Sequence, residues 1–206
     1  DSIGKIFTQH LAALDDQAEV SFFDAGCGEG YYLNQVSEYC QSAGHKVDFS
    51  GLDISKFAVQ KAAKKYSGYN FCVASTFQLP LLDASQNAVL QIFAPSSELE
   101  IHRVLKANGI WITVNPAANH LNQLKHALYD TPTEHKISHI APDGMSLVKQ
   151  STLTFDIHLA NSQQRKNLLM MTPYYWSATQ EKKQALLENL KTVTTDFAIK
   201  VFTKTD

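Results

Sequence analysis

A chain of 206 residues, with 44% hydrophobic and 18% charged residues, has ample length for a real core and the composition of an ordinary soluble domain. Eighteen basic against 20 acidic residues give a formal net charge of -2, which argues against a protein that wraps nucleic acid with its whole surface. No apolar run approaches the roughly 20 residues that span a membrane, so no membrane partner is expected, and no repeat or low-complexity tract is present.

Ile3, Ile6, Phe7, Leu11 and Leu14 recur at helical spacing and predict a helix over 2–14. An apolar run over 20–25 ends in a glycine cluster and reads as a buried strand. A helix over 31–43 stops at Gly44, and 47–53 is the second strand. Ser55 is a good N-cap for a helix through Tyr66, with Phe57, Ala58, Ala62 and Ala63 inward and Gly68 closing it. Strands over 70–74 and 88–93 follow. A helix over 96–106 is expected to end at Asn108-Gly109, with Gly109 as the left-handed cap. A fifth strand spans 110–115 and a helix about 119–129.

Strands alternating with helices of this length predict a parallel sheet covered on both faces. The last third departs from that rhythm. Pro132, Pro142 and Gly144 make 131–150 an irregular excursion. Strands over 151–159 and 194–202 enclose helices over 163–170 and 179–190, which suggests an antiparallel finish at one sheet edge. No linker divides the chain, so 1–206 reads as one α/β domain with seven strands.

The first strand runs into Asp24-Ala25-Gly26-Cys27-Gly28-Glu29-Gly30-Tyr31-Tyr32. Glycines at alternate positions before a helix let backbone N–H groups approach a ligand closely. The dinucleotide fingerprint needs G-x-G-x-x-G, and a phosphate-binding P-loop needs a terminal G-K-[ST]; neither is present. Asp53 ends the second strand, where an acid can accept from ribose hydroxyls. Ser75 follows the third strand, where an adenine edge would lie. Each has an ordinary alternative: a structural turn for the glycines, a helix-terminal acid for Asp53, a turn residue for Ser75. Three ligand-facing strand ends in order weigh more than any one of them.

The pattern Asp24-x-Gly26-x-Gly28-x-Gly30 resembles the first motif of class I methyltransferases, which bind S-adenosylmethionine. A carboxylate such as Asp24 complements that cofactor's ammonium group, and exposed amides complement its carboxylate. The resemblance implies a Rossmann-like, mostly parallel seven-stranded sheet with an antiparallel edge strand and helices on both faces. No [DN]-P-P-[YF] motif follows the fourth strand, where Ile92-Phe93-Ala94-Pro95-Ser96-Ser97 stands, so an exocyclic-amine DNA methyltransferase is disfavoured. Cys27 and Cys72 are not placed to act as a cytosine-C5 nucleophile and read as core or loop residues. Three cysteines without a C-x-x-C pair argue against a disulfide framework or a zinc site within the chain. With no visible secretory leader, that usage predicts a cytoplasmic setting.

More of the chain resembles one family, the bacterial 23S ribosomal RNA (guanine-N1)-methyltransferases. The stretches are Asp24–Tyr32, Gly51-Leu-Asp-Ile-Ser-Lys56, Phe71-Cys-Val-Ala-Ser75, Ala94-Pro95, His120-Leu-x-x-Leu-Lys125 and Met171-Thr-Pro-x-x-Trp176. The resemblance implies S-adenosylmethionine as methyl donor and N1 of a hairpin-loop guanine in 23S rRNA as acceptor. It implies cofactor contacts from Gly28, Glu29 and His120, beside Asp24, Gly26, Gly30, Asp53, Ile54 and Ser75. It also implies a zinc module ahead of Asp1, where the only metal would sit, and a homodimer.

Guanine N1 must lose a proton as it gains the methyl group. His120, Asn115 and Glu98 on the loops after the strands are candidates for the base, and water is the alternative. Tyr31, Phe93, Tyr174, Tyr175 and Trp176 are stacking or packing surfaces for an unstacked base. Lys56, Lys61, Lys64 and Lys65 form either a phosphate-facing or an ordinary solvated helix face. A small-molecule methyltransferase on the same fold, or a non-enzymatic scaffold that kept it, are the competing readings.

Overall fold

The computed structural model describes residues 2–12, 20–128 and 140–205. The elements in chain order are α1 (Ser2–Leu11), β1 (Val20–Ala25), α2 (Tyr31–Ser42), β2 (Val47–Asp53), α3 (Lys56–Lys65), β3 (Asn70–Val73), β4 (Gln86–Ile92) and α4 (Glu98–Val104). They continue with β5 (Leu105–Pro116), α5 (Asn122–Leu128), β6 (Met145–His158), α6 (Ser162–Met170), α7 (Tyr174–Ser177), α8 (Gln180–Asn189) and β7 (Thr192–Lys204). The predicted residues 13–14 and 129 of two helices, and 131–139 of the excursion, lie outside the described residues.

The seven strands lie in the order β3-β2-β1-β4-β5-β7-β6. Pairs β1·β2, β2·β3, β1·β4 and β4·β5 are parallel. Toward the far edge, Thr154 meets Asp196, Asp156 meets Thr194 and His158 meets Thr192. The partner number falls as the residue number rises, so β7 is antiparallel to β6. This is the Rossmann-like mixed sheet predicted above, with β7 lying between β5 and β6.

The chain forms two compact units: Asp1–Val114 with Ile140–Gln150 and Lys200–Asp206, and Asn115–His139 with Ser151–Ile199. In the first, adjacent β1 residues serve opposite faces of the sheet, as the two-residue strand period requires. Phe22 meets Phe7 of α1 edge-to-face at 4.8 Å. Phe23 joins Leu52, Val89, Trp111, Ile101 and Val104, so α4 covers the other face. The second unit has its own apolar cluster of Leu121, Leu124, Leu128, Leu159, Leu169, Leu186 and Val193.

Four local expectations change. On α3, Phe57 and Ala63 stand exposed rather than inward, because the helix turns Val59 and Ala62 to the core. The predicted helix over 96–106 ends at Val104, and β5 starts at Leu105. Asn108, not Gly109, takes the left-handed conformation, with φ 60°. A Cβ on Gly109 would lie 2.9 Å from the Lys106 carbonyl, so its missing side chain serves a close backbone approach. Residues 145–150, expected to be irregular, are the start of β6, and a short helix α7 falls within the Met-Thr-Pro-x-x-Trp segment.

The segment between β3 and β4 is secured by Arg103 on α4. Its guanidinium donates to the Leu79 and Leu81 carbonyls at 3.0 and 2.8 Å, and pairs with Glu100 at 2.8 Å and Asp83 at 2.7 Å. Glu100 also accepts the Leu79 N–H at 2.7 Å. The Arg103 hydrogen bonds, helped by the Leu79 N–H, hold the Glu100 carboxyl well below its ordinary range, down to about 2. A depressed carboxyl pKa contributes stability that is complete above pH 4.5 and is lost as pH falls toward 2. Glu100→Gln is therefore expected to lower stability by about 1–2 kcal/mol near pH 7, discounting for partial solvent screening. That difference should vanish near pH 2 in urea titrations. A difference independent of pH would show that the ion pair is not its source.

Candidate cofactor site

The order β3-β2-β1-β4 places the topological switch between β1 and β4. In open parallel sheets, ligands bind beyond the carboxyl ends of the strands at that crevice. Gly26, Gly28 and Gly30 follow β1 with φ of 90°, 54° and 79°, all in the region that favours glycine. The Gly26 and Cys27 N–H groups both donate to the Leu52 carbonyl, at 2.9 and 2.8 Å, which folds the loop over the end of β2. Gly30 opens α2 and supplies no side-chain cap to its first-turn amides.

Two positions admit no side chain. A Cβ on Gly26 would lie 2.5 Å from the Ala94 Cβ in the loop after β4. A Cβ on Gly51 would lie 2.9 Å from the Cys27 Cβ and 3.1 Å from its Sγ. Gly51 thus lets the glycine loop settle on β2. Sequence reasoning did not single out this role, since Gly51 looks like any strand glycine. It also missed Gln91, a buried amide whose side chain donates to the Ala94 carbonyl and accepts from the Ser96 hydroxyl. The available signal was one polar residue inside the apolar run of β4.

Asp24 is buried at the end of β1, paired in register with Gly51 on one side and Leu90 on the other. Among the described residues its carboxylate accepts no hydrogen bond. Burial, and then the nearby Asp53 carboxylate, push its pKa up to about 7. A buried carboxyl without a donor is costly unless a partner arrives. The same surroundings push the Cys27 thiol up, first by burial and then through Asp24 and Asp53. Cys27 is accordingly a protonated, buried loop residue rather than a nucleophile.

Asp53 ties two loops together. Its Oδ2 accepts the Gly28 N–H at 2.9 Å and its Oδ1 the Ser55 N–H at 2.8 Å. An ionised carboxylate has about four acceptor positions, so capacity for a ribose diol is left. Ser55 also caps α3, its hydroxyl accepting the Ala58 N–H at 3.3 Å as predicted. The Ser75 hydroxyl accepts the Phe77 N–H at 3.2 Å, and Thr76 donates to the Pro95 carbonyl at 2.5 Å. The loops after β3 and β4 are thereby joined. The Glu29 side chain pairs with Lys61 at 2.9 Å, both groups about half exposed.

Apolar side chains stand exposed after successive strands: Tyr31 after β1, Ile54 after β2, Phe77 after β3 and Phe93 after β4. Ile54 is 79% exposed, which an isolated folded domain gains nothing from. The first unit therefore carries Asp24, Gly26, Gly28, Glu29, Gly30, Asp53, Ile54 and Ser75 at the carboxyl ends of β1, β2 and β3 and on the loops that follow them. Glu98 lies exposed in the first turn of α4.

Asn115 and His120 belong to the second unit. Asn115 is exposed near the end of β5. His120 sits in the turn before α5, its Nδ1 accepting the Asp196 N–H at 3.3 Å and its ring 4.9 Å from that of Phe197. Buried Asp196 in turn accepts the Asn119 N–H at 3.0 Å and the Thr154 hydroxyl at 2.7 Å. Asp196 was also missed, although it is an acid inside the strongly alternating β7. Tyr174 and Tyr175 pack on the second apolar cluster, whereas Trp176 is 82% exposed.

A parallel sheet with a glycine loop and a buried acid at its switch point, the acid accepting no hydrogen bond among the described residues, defines a Rossmann-like α/β protein. Residues 16–184 match the methyltransferase domain family, and the chain belongs to it. It is similar to a Bacillus subtilis protein provisionally named a 23S rRNA (guanine-N1)-methyltransferase. The two are 31% identical over 172 residues, covering 82% of this chain and 61% of that one. It is similar to the 23S rRNA (guanine(748)-N(1))-methyltransferase of Streptomyces fradiae, 36% identical over 106 residues, 51% of this chain and 36% of the relative. The chain thus spans about three-fifths and one-third of these relatives. A crystal structure of a Bacillus halodurans protein provisionally described as a methyltransferase shares the fold, with TM-score 0.61, 15% identity and full coverage of both chains. Among the described residues, no helix is long and apolar enough to cross a membrane.

Proposed function

We propose that this chain is an S-adenosylmethionine-dependent methyltransferase domain acting on N1 of a guanine in 23S rRNA. For the cofactor, the observation that carries the reading is buried Asp24, without a donor among the described residues, at the switch point beside a helix start with no side-chain cap. For the acceptor, it is the similarity to relatives named for guanine-N1 of 23S rRNA. A cytoplasmic location and action as one catalytic domain accompany that reading.

S-adenosylmethionine supplies an electrophilic methyl sulfonium when bound. Asp24 would hold its cationic amino-acid end, and the first amides of α2 would suit the carboxylate. Asp53 would take the ribose hydroxyls on its remaining acceptor positions, and Ile54 and Phe77 would offer apolar cover to the base. Glu29 and Ser75 line the same loops. His120 accepts the Asp196 N–H at Nδ1, which engages within its own unit the lone pair that removal of the guanine N1 proton would need. Transfer then depends chiefly on alignment of N1 with the methyl group, and the proton leaves to water.

Labelled S-adenosylmethionine and unmodified 23S rRNA test this directly. The expected result is incorporation of label and a single reverse-transcription stop one nucleotide before a guanine, because N1-methylguanine cannot form a Watson–Crick pair. Tight binding of S-adenosylhomocysteine with no transfer to rRNA would overturn the acceptor while leaving the cofactor site.

A further inference from the structure

We propose that the exposed face of α3 is a phosphate-binding surface that holds single-stranded RNA beside the cofactor loops; this rests on the RNA reading above. From Ile54 to Leu82 the chain carries Lys56, Lys61, Lys64 and Lys65 and no acidic residue, whereas the rest holds 14 basic and 20 acidic residues. The bland net charge thus conceals a strongly basic segment. All four lysines are exposed on one helix whose inward side is Val59 and Ala62. The helix starts three residues after Asp53.

The macrodipole accounts for part of this charge, since Lys64 and Lys65 lie in the last turn, but not for all of it. Lys56 lies in the first turn, where the macrodipole disfavours a cation. Lys61 and Lys65 are four residues apart and Lys61 and Lys64 three apart, both spacings at which like charges repel. Lys61 has Glu29 as partner, but Lys56, Lys64 and Lys65 make no ion pair among the described residues. Lys65 lies over the Tyr66 ring at 5.0 Å, but Lys56 and Lys64 have no acidic partner among the described residues, and a basic face held without one points to a function for it. Phosphates spaced along a strand would neutralise it. Phe57, 67% exposed with the Lys61 ammonium 4.7 Å above its ring, adds a surface on which a splayed base can stack. The polyanion that offers both charge and bases is single-stranded RNA.

The test compares the whole chain with the variant Lys56→Gln/Lys64→Gln/Lys65→Gln. The probe is a fluorescent hairpin RNA with a guanine-containing loop, and affinity is measured by anisotropy across a KCl series. Each single-strand phosphate contact contributes about 0.7 to the slope of log affinity against log salt, so the variant should show a slope shallower by about 2. Lys→Arg changes at the same positions should keep the slope. S-adenosylhomocysteine binding should be unchanged, which shows that the glutamine variant is folded. An unchanged slope, or binding of anionic phosphatidylglycerol vesicles in place of RNA, overturns the inference. RNA binding through α3 without methyl transfer supports this surface and sinks the methyltransferase reading of the acceptor. Undiminished transfer to rRNA by the glutamine variant does the reverse.

Discussion

Asp24→Asn is expected to strengthen the ligand-free protein and to weaken S-adenosylmethionine binding about 100-fold, or roughly 2.7 kcal/mol. In the ligand-free state the carboxyl is buried, accepts no hydrogen bond among the described residues and stands near Asp53, so its pKa rises from 3.8 to about 7. A raised acid pKa means that the unfolded chain ionises first. Stability from this group is therefore complete below about pH 4, falls as pH climbs to about 7, and is flat above it. Asparagine removes the penalty but leaves buried amide atoms, so a gain of about 2 kcal/mol at pH 8 is expected rather than the full shift. At pH 4 the two proteins should melt together.

Binding runs the other way. A cationic ligand needs the ionised carboxylate, so wild-type affinity should rise about tenfold per unit from pH 5 to 7 and level off above. The variant should show no such slope. Calorimetry of S-adenosylhomocysteine, which keeps the ammonium, checks this across pH. Equal affinity of the two proteins at pH 8 would remove Asp24 from the cofactor's cationic end.

The alternation of strands and helices made the sheet legible, because buried parallel strands read as short apolar runs and Ser55 marks its helix start chemically. The late strands were legible as strands but not in their extent. Residues 145–150 sit beside Pro142 and Gly144, and local turn chemistry masked pairing that depends on distant β7. The same holds at Leu105, where a strand starts immediately after α4 because β4 offers a parallel partner. In the site, the glycine spacing and Asp53 were visible because unusual backbone and an acid at a strand end leave a mark in sequence. Gly51, Gln91 and Asp196 were not, because their roles are close approach and buried hydrogen bonding across elements. Asp53 shows the same limit: its position was legible, while its bonds to the Gly28 and Ser55 amides belong to the folded loop.

Gly26→Ala should be the most damaging single-atom-group change in the loop, lowering stability by about 2–4 kcal/mol, of which backbone strain at φ 90° is about 1–2. For a chain of this size that is a fall of about 4–16 °C in melting temperature. The remainder is the overlap with Ala94, whose Cβ would lie 2.5 Å from the new methyl group. Ala94 cannot simply retreat, since Gln91 holds its carbonyl and Thr76 holds that of Pro95. Even where the protein folds, the displaced loop should weaken S-adenosylhomocysteine binding by about tenfold or more, because the glycine loop and the loop after β4 flank the switch point. Gly28→Ala is the control. Its φ is 54° but its Cβ would enter open space, so only backbone strain applies, about 1 kcal/mol. The double variant Gly26→Ala/Ala94→Gly should recover the packing part and not the backbone part, leaving a favourable coupling of about 1 kcal/mol or more in a double-mutant cycle. Equal losses for Gly26→Ala and Gly28→Ala, with no recovery from Ala94→Gly, would mean that contact between the two loops does not position this site.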